Sequence, residues 1–424
     1  MYTLGEQADR GLRDILLHAA RETEHYRDIY SSHKRLVDNL KLSDFPLLTR
    51  QAVQRERSHF LCGRYQRYPD IEYVLMKRSF GFSGIPLEIY WDSRDDSRSQ
   101  ACLWEYRKKR FGITQDQKCC VFRTAEYAGN KIMDDMPKRL SADGKTMSFS
   151  IRNLSPDRLQ WCMDAILKFA PAWMCLSPSI ALMLAENMAA NRQTPWSGLR
   201  YIELCGEMLD TQTETIIQDT FQVQTANVYA TQAMGAIAAS CEYGHLHIFP
   251  ENVAVEAIRN GKPVMDEEGD LYITSLQNNA MPLIRMETED RGILQTAPCP
   301  CGQPAPVLRL SQGRNLGFIT TKSGRKVSAH VLRSMAEYTN EEISRCMAHI
   351  RFRQNDNGHM DAVLGVKPAF YGWEKETARI FKERIEDSEL RQMQWNFTFA
   401  NSCESDGTKM GVHPFFESWE GEEQ

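Results

Sequence analysis

The amino-acid sequence predicts a multidomain protein of α/β and α+β character: a large N-terminal domain with a β-rich subdomain, followed by a small α+β domain. Three observations carry this reading. Strand-like and helix-like runs alternate between Cys119 and Leu204, the pattern of an α/β layer. From Cys241 to Leu310 helix signals give way to β runs separated by turns. At 424 residues, the chain is longer than one hydrophobic core usually supports.

The elements follow in order. Leu12, Ile15, Leu16 and Ala19 recur at helical spacing, and Pro46-Leu47-Leu48-Thr49-Arg50 opens a further turn, so the stretch from Glu6 to Arg57 is expected to be packing helices. Tyr73-Val74-Leu75-Met76 and Leu87-Glu88-Ile89-Tyr90 flank a segment of small residues, giving strand, loop, strand. A helix over Ala101 to Arg110 follows. Then come the strand Cys119 to Phe122, the helix Leu159 to Phe169, the strand Trp173 to Leu176, the helix Ser179 to Ala190 and the strand Tyr201 to Leu204. Ala254 to Ile258 and Leu271 to Thr274, on either side of the turn Asp266 to Asp270, predict a meander or small barrel. Beyond Gly313, Ile350 to Arg353, Ala362 to Val366, a helix near Trp373 to Ile385 and Trp395 to Phe399 give a β-β-α-β order.

Composition narrows the function. With 42% hydrophobic and 25% charged residues the chain has a globular composition. A formal net charge of −5, with basic clusters no longer than Arg107-Lys108-Lys109-Arg110, argues against nucleic acid as the main partner. Lys168, Pro171, Pro178 and Glu186 interrupt the most apolar stretch, Ile166 to Ala190, leaving no run of the roughly 20 residues a membrane helix needs. Met1 to Glu6 lacks a basic start and an apolar core, so a cytoplasmic location is expected.

Cys241 with His245 and His247, then Cys299-Pro300-Cys301-Gly302, make two half-sites. Three thiols and an imidazole suffice for a closed tetrahedral zinc site, and Cys-Pro-Cys-Gly is a turn that aims two sulfurs one way. The expected ligands are Cys241, His247, Cys299 and Cys301. His245 is an alternative to His247, because residues two apart in a strand share a face. Such a site leaves no open coordination position, so the zinc is expected to be structural and to brace a β-rich part over about 236–310. Of the 12 cysteines, the other nine have no ligand-like neighbours in sequence and are expected to be reduced thiols.

Ser79-Phe80-Gly81-Phe82-Ser83-Gly84-Ile85-Pro86 offers glycines that admit a polyanion and hydroxyls to bond its oxygens. Gly206-Glu207-Met208-Leu209, Tyr229-Ala230-Thr231-Gln232, Met281-Pro282-Leu283-Ile284-Arg285 with Thr288 and Asp290, Gly313-Arg314 and Gly407-Thr408-Lys409 follow in that order. From Pro46 to Lys409 this series resembles the adenylate-forming (ANL) superfamily, in particular its phenylacetate–CoA ligase-like branch. The resemblance implies an adenylation domain over 1–313 and a mobile lid domain over 314–424.

It also implies roles. Ser79, Gly81, Ser83 and Gly84 would hold the phosphates of ATP, and Gly206, Glu207, Tyr229, Ala230, Thr231, Gln232 and Asp290 the rest of the nucleotide. Tyr229 would lie against adenine, and Asp290 would accept from the ribose hydroxyls. Arg314 would sit near the nucleotide at the domain junction, and Lys409 would bridge the attacking carboxylate and the α-phosphate. Residues between Phe122 and Asn130, with Ser177 to Ala181 and Leu204 to Glu207, would line the acid pocket. The implied activity is adenylation of a small, aromatic carboxylic acid with Mg²⁺, then transfer to coenzyme A; the lid domain swings between the two half-reactions. An amine, carrier-protein thiol or hydroxyl acceptor is an alternative, and a homodimer is compatible with the resemblance. Three positions depart from the family. Phe82 replaces a hydroxyl residue, Gln232 a glutamate associated with Mg²⁺, and Asn315-Leu316-Gly317 the acidic hinge. Phe82 and Gln232 motivate a third reading, a zinc-containing nucleotide-binding or scaffold protein without catalysis.

Overall fold

The computed structural model describes residues 6–27, 40–66, 74–80, 86–123, 127–128, 131–132, 138–150, 156–304, 306–312, 318–324, 326–329, 331–332, 335–336, 339, 342–343, 346–366, 370–386, 388–399 and 416–417. Helix α1 (Glu6–Glu22) buries the predicted stripe of Leu12, Ile15, Leu16 and Ala19. Helix α2 (Arg50–Arg55) starts where Thr49 accepts a hydrogen bond from the backbone N–H of Ala52. The strands β1 (Val74–Phe80) and β2 (Pro86–Asp92) pair antiparallel, as strand, loop, strand requires. Helices α3 (Ser93–Ser99) and α4 (Ala101–Phe111) follow, and α4 stops at Gly112, whose φ of 65° is left-handed.

The α/β layer comprises β3 (Cys119–Arg123), β4 (Lys138–Leu140), β5 (Thr146–Ser150), helix α5 (Pro156–Phe169), β6 (Trp173–Leu176), helix α6 (Pro178–Ala190), β7 (Tyr201–Cys205), helix α7 (Thr211–Phe221) and β8 (Gln224–Thr231). Strands β5, β3, β6, β7 and β8 are successively parallel. Helices α5, α6 and α7 bury Met163, Ile166, Leu184, Met188 and Ile217 over one face of them. Helix α7 has no counterpart in the sequence reading. Its signals are Asp210, which caps the N-terminus by accepting from Thr213, and the buried Ile217 and Phe221 one turn apart.

The β-rich part consists of β9 (Gly235–Ser240), β10 (Leu246–Ile248), β11 (Val253–Arg259), β12 (Lys262–Val264), β13 (Glu268–Ser275), β14 (Met286–Gln295) and β15 (Val307–Gln312). Strands β11, β13, β14 and β15 pair antiparallel in chain order, the meander that the turns predicted, but the meander does not stand alone. Strand β9 pairs antiparallel with β8 on one side and with β10 on the other, and all six of its residues are buried. With both ladders made, the antiparallel strands prolong the parallel sheet. Among the described residues this gives thirteen strands in the order β12-β11-β13-β14-β15-β10-β9-β8-β7-β6-β3-β5-β4. The direction changes at β8.

The C-terminal stretch keeps the predicted β-β-α-β order as β16 (Met347–Gln354), β17 (His359–Val366), helix α8 (Glu374–Glu386) and β18 (Gln394–Phe399). Ile350, Phe352, Leu364, Ile380 and Phe381 form a core there whose buried members, among the described residues, lie between Ile319 and Met393. No helix among the described residues is long and apolar enough to cross a membrane.

Candidate active site

A cavity of about 410 Å³ opens at the carboxyl ends of β7 and β8, where the sheet stops being parallel. In α/β sheets this is where ligands bind, because the chain leaves neighbouring strands there in different directions. Gly206 to Leu209, Asn227 to Thr231, Gly244 to Leu246 and Val307 to Leu310 line the cavity. Gly206 turns the chain out of β7 at a φ of 86°, which a side chain would resist.

Several predicted residues meet here. Tyr229, on β8, donates its hydroxyl hydrogen bond to Asp290 Oδ2 at 2.6 Å. Asp290 is only 3% exposed. It sits on β14, whose side chains alternate buried and half-buried, and its backbone N–H donates to Thr288 Oγ1 at 3.2 Å. Ala230 and Thr231 line the same cavity. Glu207 lines it and also accepts from the backbone N–H and the hydroxyl of Ser179, both at 2.9 Å. Its carboxylate thus closes the first turn of α6, where orphan N–H groups attract an anion.

Gln232 sits at the margin. Its side chain is exposed and outside the residues that line the cavity, while its carbonyl accepts from Trp91 Nε1 at 3.1 Å. That bond fastens β2, and with it the β1–β2 pair, to the end of β8. Ser79 is the penultimate residue of β1, level with Leu87. Gly81, Phe82, Ser83, Gly84, Arg314, the segment 315–317 and Lys409 lie outside the described residues, as does part of the expected acid pocket between Phe122 and Asn130.

Beside the cavity the two cysteine half-sites converge. Sγ of Cys241, Nε2 or Nδ1 of His247, and Sγ of Cys299 and Cys301 lie within 4.8 Å of one another. Cys241 and Cys299 sulfurs are 3.7 Å apart, and Cys301 Sγ is 3.2 Å from His247 Nε2. Tetrahedral zinc with Zn–S of about 2.3 Å places sulfurs about 3.8 Å apart, so the donor set and spacing fit the ion. Two tight turns make this possible. The N–H of Gly244 bonds the Cys241 carbonyl and that of Gly302 the Cys299 carbonyl, each at 3.0 Å, and both glycines have a φ of 77°. His245 is outside this set of four, with Nδ1 3.2 Å from Cys299 Sγ.

Other contacts were invisible in the sequence. Arg107 of α4 makes a bidentate ion pair with Glu203 of β7, at 2.8 and 2.6 Å, and its guanidinium lies over the rings of Trp104 and Trp173. Tyr201 donates to the same Glu203 at 3.0 Å. The partners are 96 residues apart, so no local spacing reveals them. Arg285 of the Met-Pro-Leu-Ile-Arg stretch pairs with Glu256 and donates to the Phe45 carbonyl, a bracing role away from the cavity. Three cysteines without ligand-like neighbours in sequence have them in space. Cys175 and Cys205 sulfurs are 3.7 Å apart, and Cys62 lies 3.3 Å from His18 Nε2. Burial pushes the Cys62 thiol up to about 12, which leaves it protonated and inert.

No protein-family model matches the sequence, and no curated protein matches it. Solved structures match its fold. A 2-hydroxyisobutyryl-CoA ligase in complex with 2-HIB-AMP and CoA, in the thioesterification state, superposes with a TM-score of 0.61 at 16% identity, over 97% of this chain and 88% of that one. The open conformation of that ligase, also with 2-HIB-AMP and CoA, gives 0.57 at 15% identity, over 96% of this chain and 90% of the other.

Proposed function

On the adenylate-forming fold that this chain has, we propose that it is an ATP-dependent ligase. It activates a small, aromatic carboxylic acid as an acyl-adenylate and passes the acyl group to coenzyme A. The observation that carries the reading is the cavity at the turning point of the sheet, where the Gly206 to Leu209 loop faces Tyr229 and Tyr229 is hydrogen-bonded to Asp290. A ring beside a buried carboxylate suits a nucleoside: the ring packs on the base and the carboxylate accepts from the ribose hydroxyls.

In the first half-reaction a carboxylate oxygen of the acid attacks the α-phosphorus of ATP. The bond from that phosphorus to the bridging oxygen breaks, and pyrophosphate leaves. Like-charge repulsion opposes the attack, so Lys409, with Ser79, Ser83 and Gly84 at the phosphates and Arg314 near the nucleotide, lowers the barrier by offering positive charge and donors. In this reading Gln232, at the margin of the cavity, would offer Mg²⁺ a neutral amide oxygen. In the second half-reaction the thiol sulfur attacks the acyl carbon and AMP leaves. Zinc held by Cys241, His247, Cys299 and Cys301 is structural in this reading and supplies a fixed cross-link between two turns.

The test is acid-dependent ATP–pyrophosphate exchange with Mg²⁺ and without coenzyme A, across aryl and alkyl carboxylates. Exchange with one acid class is the expected result, and the aryl members should lead. No exchange with any acid, from folded and zinc-loaded protein, overturns the reading in favour of a nucleotide-binding protein. With the acid known, coenzyme A is compared with amines and carrier-protein thiols as acceptor. Lys409→Ala should lower exchange by at least about 100-fold while nucleotide binding persists.

A further inference from the structure

Trp173 and Cys175 of β6 and Tyr201, Glu203 and Cys205 of β7 alternate along their strands and share one face of the sheet. The register sets Trp173 level with Tyr201 and Cys175 level with Glu203. Helix α4 covers the start of this row through Arg107, which pairs with Glu203. Trp173, Tyr201 and Glu203 are buried, whereas Cys175 and Cys205, toward the carboxyl ends of the strands, are half-buried. Their sulfurs are 3.7 Å apart.

The two thiols meet where the ladder stops. Pairing between β6 and β7 ends at Leu176 and Leu204, so Cys205 has no register partner on β6, and on its other side it is level with Val228 of β8. The next residue, Gly206, has a φ of 86° and begins the Gly206 to Leu209 segment that lines the cavity. A disulfide needs its sulfurs about 2.05 Å apart. Closing from 3.7 Å therefore draws Cys205 toward β6, and the missing rung on that side lets its backbone move. Gly206 follows along the chain, because a glycine takes up a change of φ and ψ that other residues resist. The segment opposite Tyr229 then shifts with it.

We propose that Cys175 and Cys205 are a disulfide-forming pair, oxidised by hydrogen peroxide, whose closure displaces the Gly206 to Leu209 segment and weakens nucleotide binding. One thiol sulfur attacks a peroxide oxygen, the O–O bond breaks and water leaves, giving a sulfenic acid. The second thiol sulfur attacks that sulfur, the S–O bond breaks, the S–S bond forms and a second water leaves. The two thiols together lose two electrons and two protons, and one peroxide is reduced to two waters. The bridge stands on the geometry of the thiols, and its effect on binding rests on the nucleotide reading of the cavity given above.

The experiment titrates the zinc-loaded protein with hydrogen peroxide, follows bound zinc, and maps the thiols by alkylation and mass spectrometry without reductant. A peptide cross-linked through Cys175 and Cys205 should form before zinc is released and should disappear with dithiothreitol. AMP, titrated by calorimetry, should bind the bridged protein about 5-fold or more weakly, the lower end of an ordinary coupling between sites, and recover on reduction. Cys175→Ser should bind AMP as the reduced parent does and keep that affinity after peroxide. Zinc loss ahead of the bridge would make the metal cluster the reactive set of thiols and overturn the proposal. Cys175 and Cys205 that stay free, or that stop as separate sulfinic acids, would overturn it on the parent protein alone, whatever the fate of the variant. A bridge that leaves AMP affinity unchanged, or an equal loss of affinity in Cys175→Ser, would overturn it as well. A reduced parent that binds no AMP would defeat the nucleotide reading instead, a result told apart because the bridge is read by mass.

Discussion

Arg107 and Glu203 show how much of this site rests on residues that touch no ligand. Their side chains are 8% and 2% exposed, and the pair ties α4 to the strand that delivers Gly206. Burial disfavours the charged guanidinium, yet the adjoining carboxylate outweighs it and holds the Arg107 pKa above its ordinary value. Glu203→Gln leaves that cation without its counter-charge, so a loss of about 3–5 kcal/mol in unfolding free energy is expected from denaturant titration. Asp290 predicts a different outcome. Asp290→Ala removes the acceptor of Tyr229 and, in the proposed function, of the ribose. The KM for ATP in pyrophosphate exchange should rise by about 10- to 100-fold with a smaller change in thermal midpoint. Asp290 was legible because a carboxylate at that place in an ordered series of motifs has few other uses. Arg107 was not, since its cation sits among three other basic residues in sequence and only the fold singles it out.

At the scale of elements, legibility followed periodicity. Helices α1, α4, α5, α6 and α8 lie where apolar spacing put them, within a few residues at each end. The strands flanking the small-residue segment Ser79 to Pro86 are equally clear in the sequence, although Ser79 and Phe80 end β1 and Pro86 begins β2. The join between the meander and the parallel sheet was not legible. Turns near Asp266 marked where strands end, but nothing local in Gly235 to Ser240 says that β9 bonds β8 on one edge and β10 on the other. The two cysteine turns were readable because Gly244 and Gly302 follow their first cysteines at the same offset of three. Their convergence gives a testable cross-link. If the ion is zinc, chelation should lower the melting temperature by roughly 5 °C or more and loosen β10 and β15 first, as followed by hydrogen exchange. An unchanged melting curve after verified metal removal would contradict the brace.

At the scale of the whole molecule, two sets of buried residues stand apart. The core beneath β11 to β15 includes α1 and β2, whereas among the described residues the core of β16, β17 and α8 draws its buried members from between Ile319 and Met393. A C-terminal core drawn from its own stretch of chain, around its own sheet, is expected to unfold as a unit, so calorimetry should resolve two transitions, the smaller belonging to the C-terminal part. A single transition would mean that contacts between the parts dominate. The same large scale gives meaning to the two outermost strands of the thirteen. Each is three residues long: β4 begins Lys138-Arg139, and β12 is Lys262-Pro263-Val264. A sheet grows by offering unpaired N–H and C=O groups to the next strand, and a long flat margin invites another chain to join. Short, basic margins, one bearing a proline that has no N–H to give, offer almost no template for self-association. Among the described residues, a sheet this wide thus ends in strands that give a further chain little to pair with.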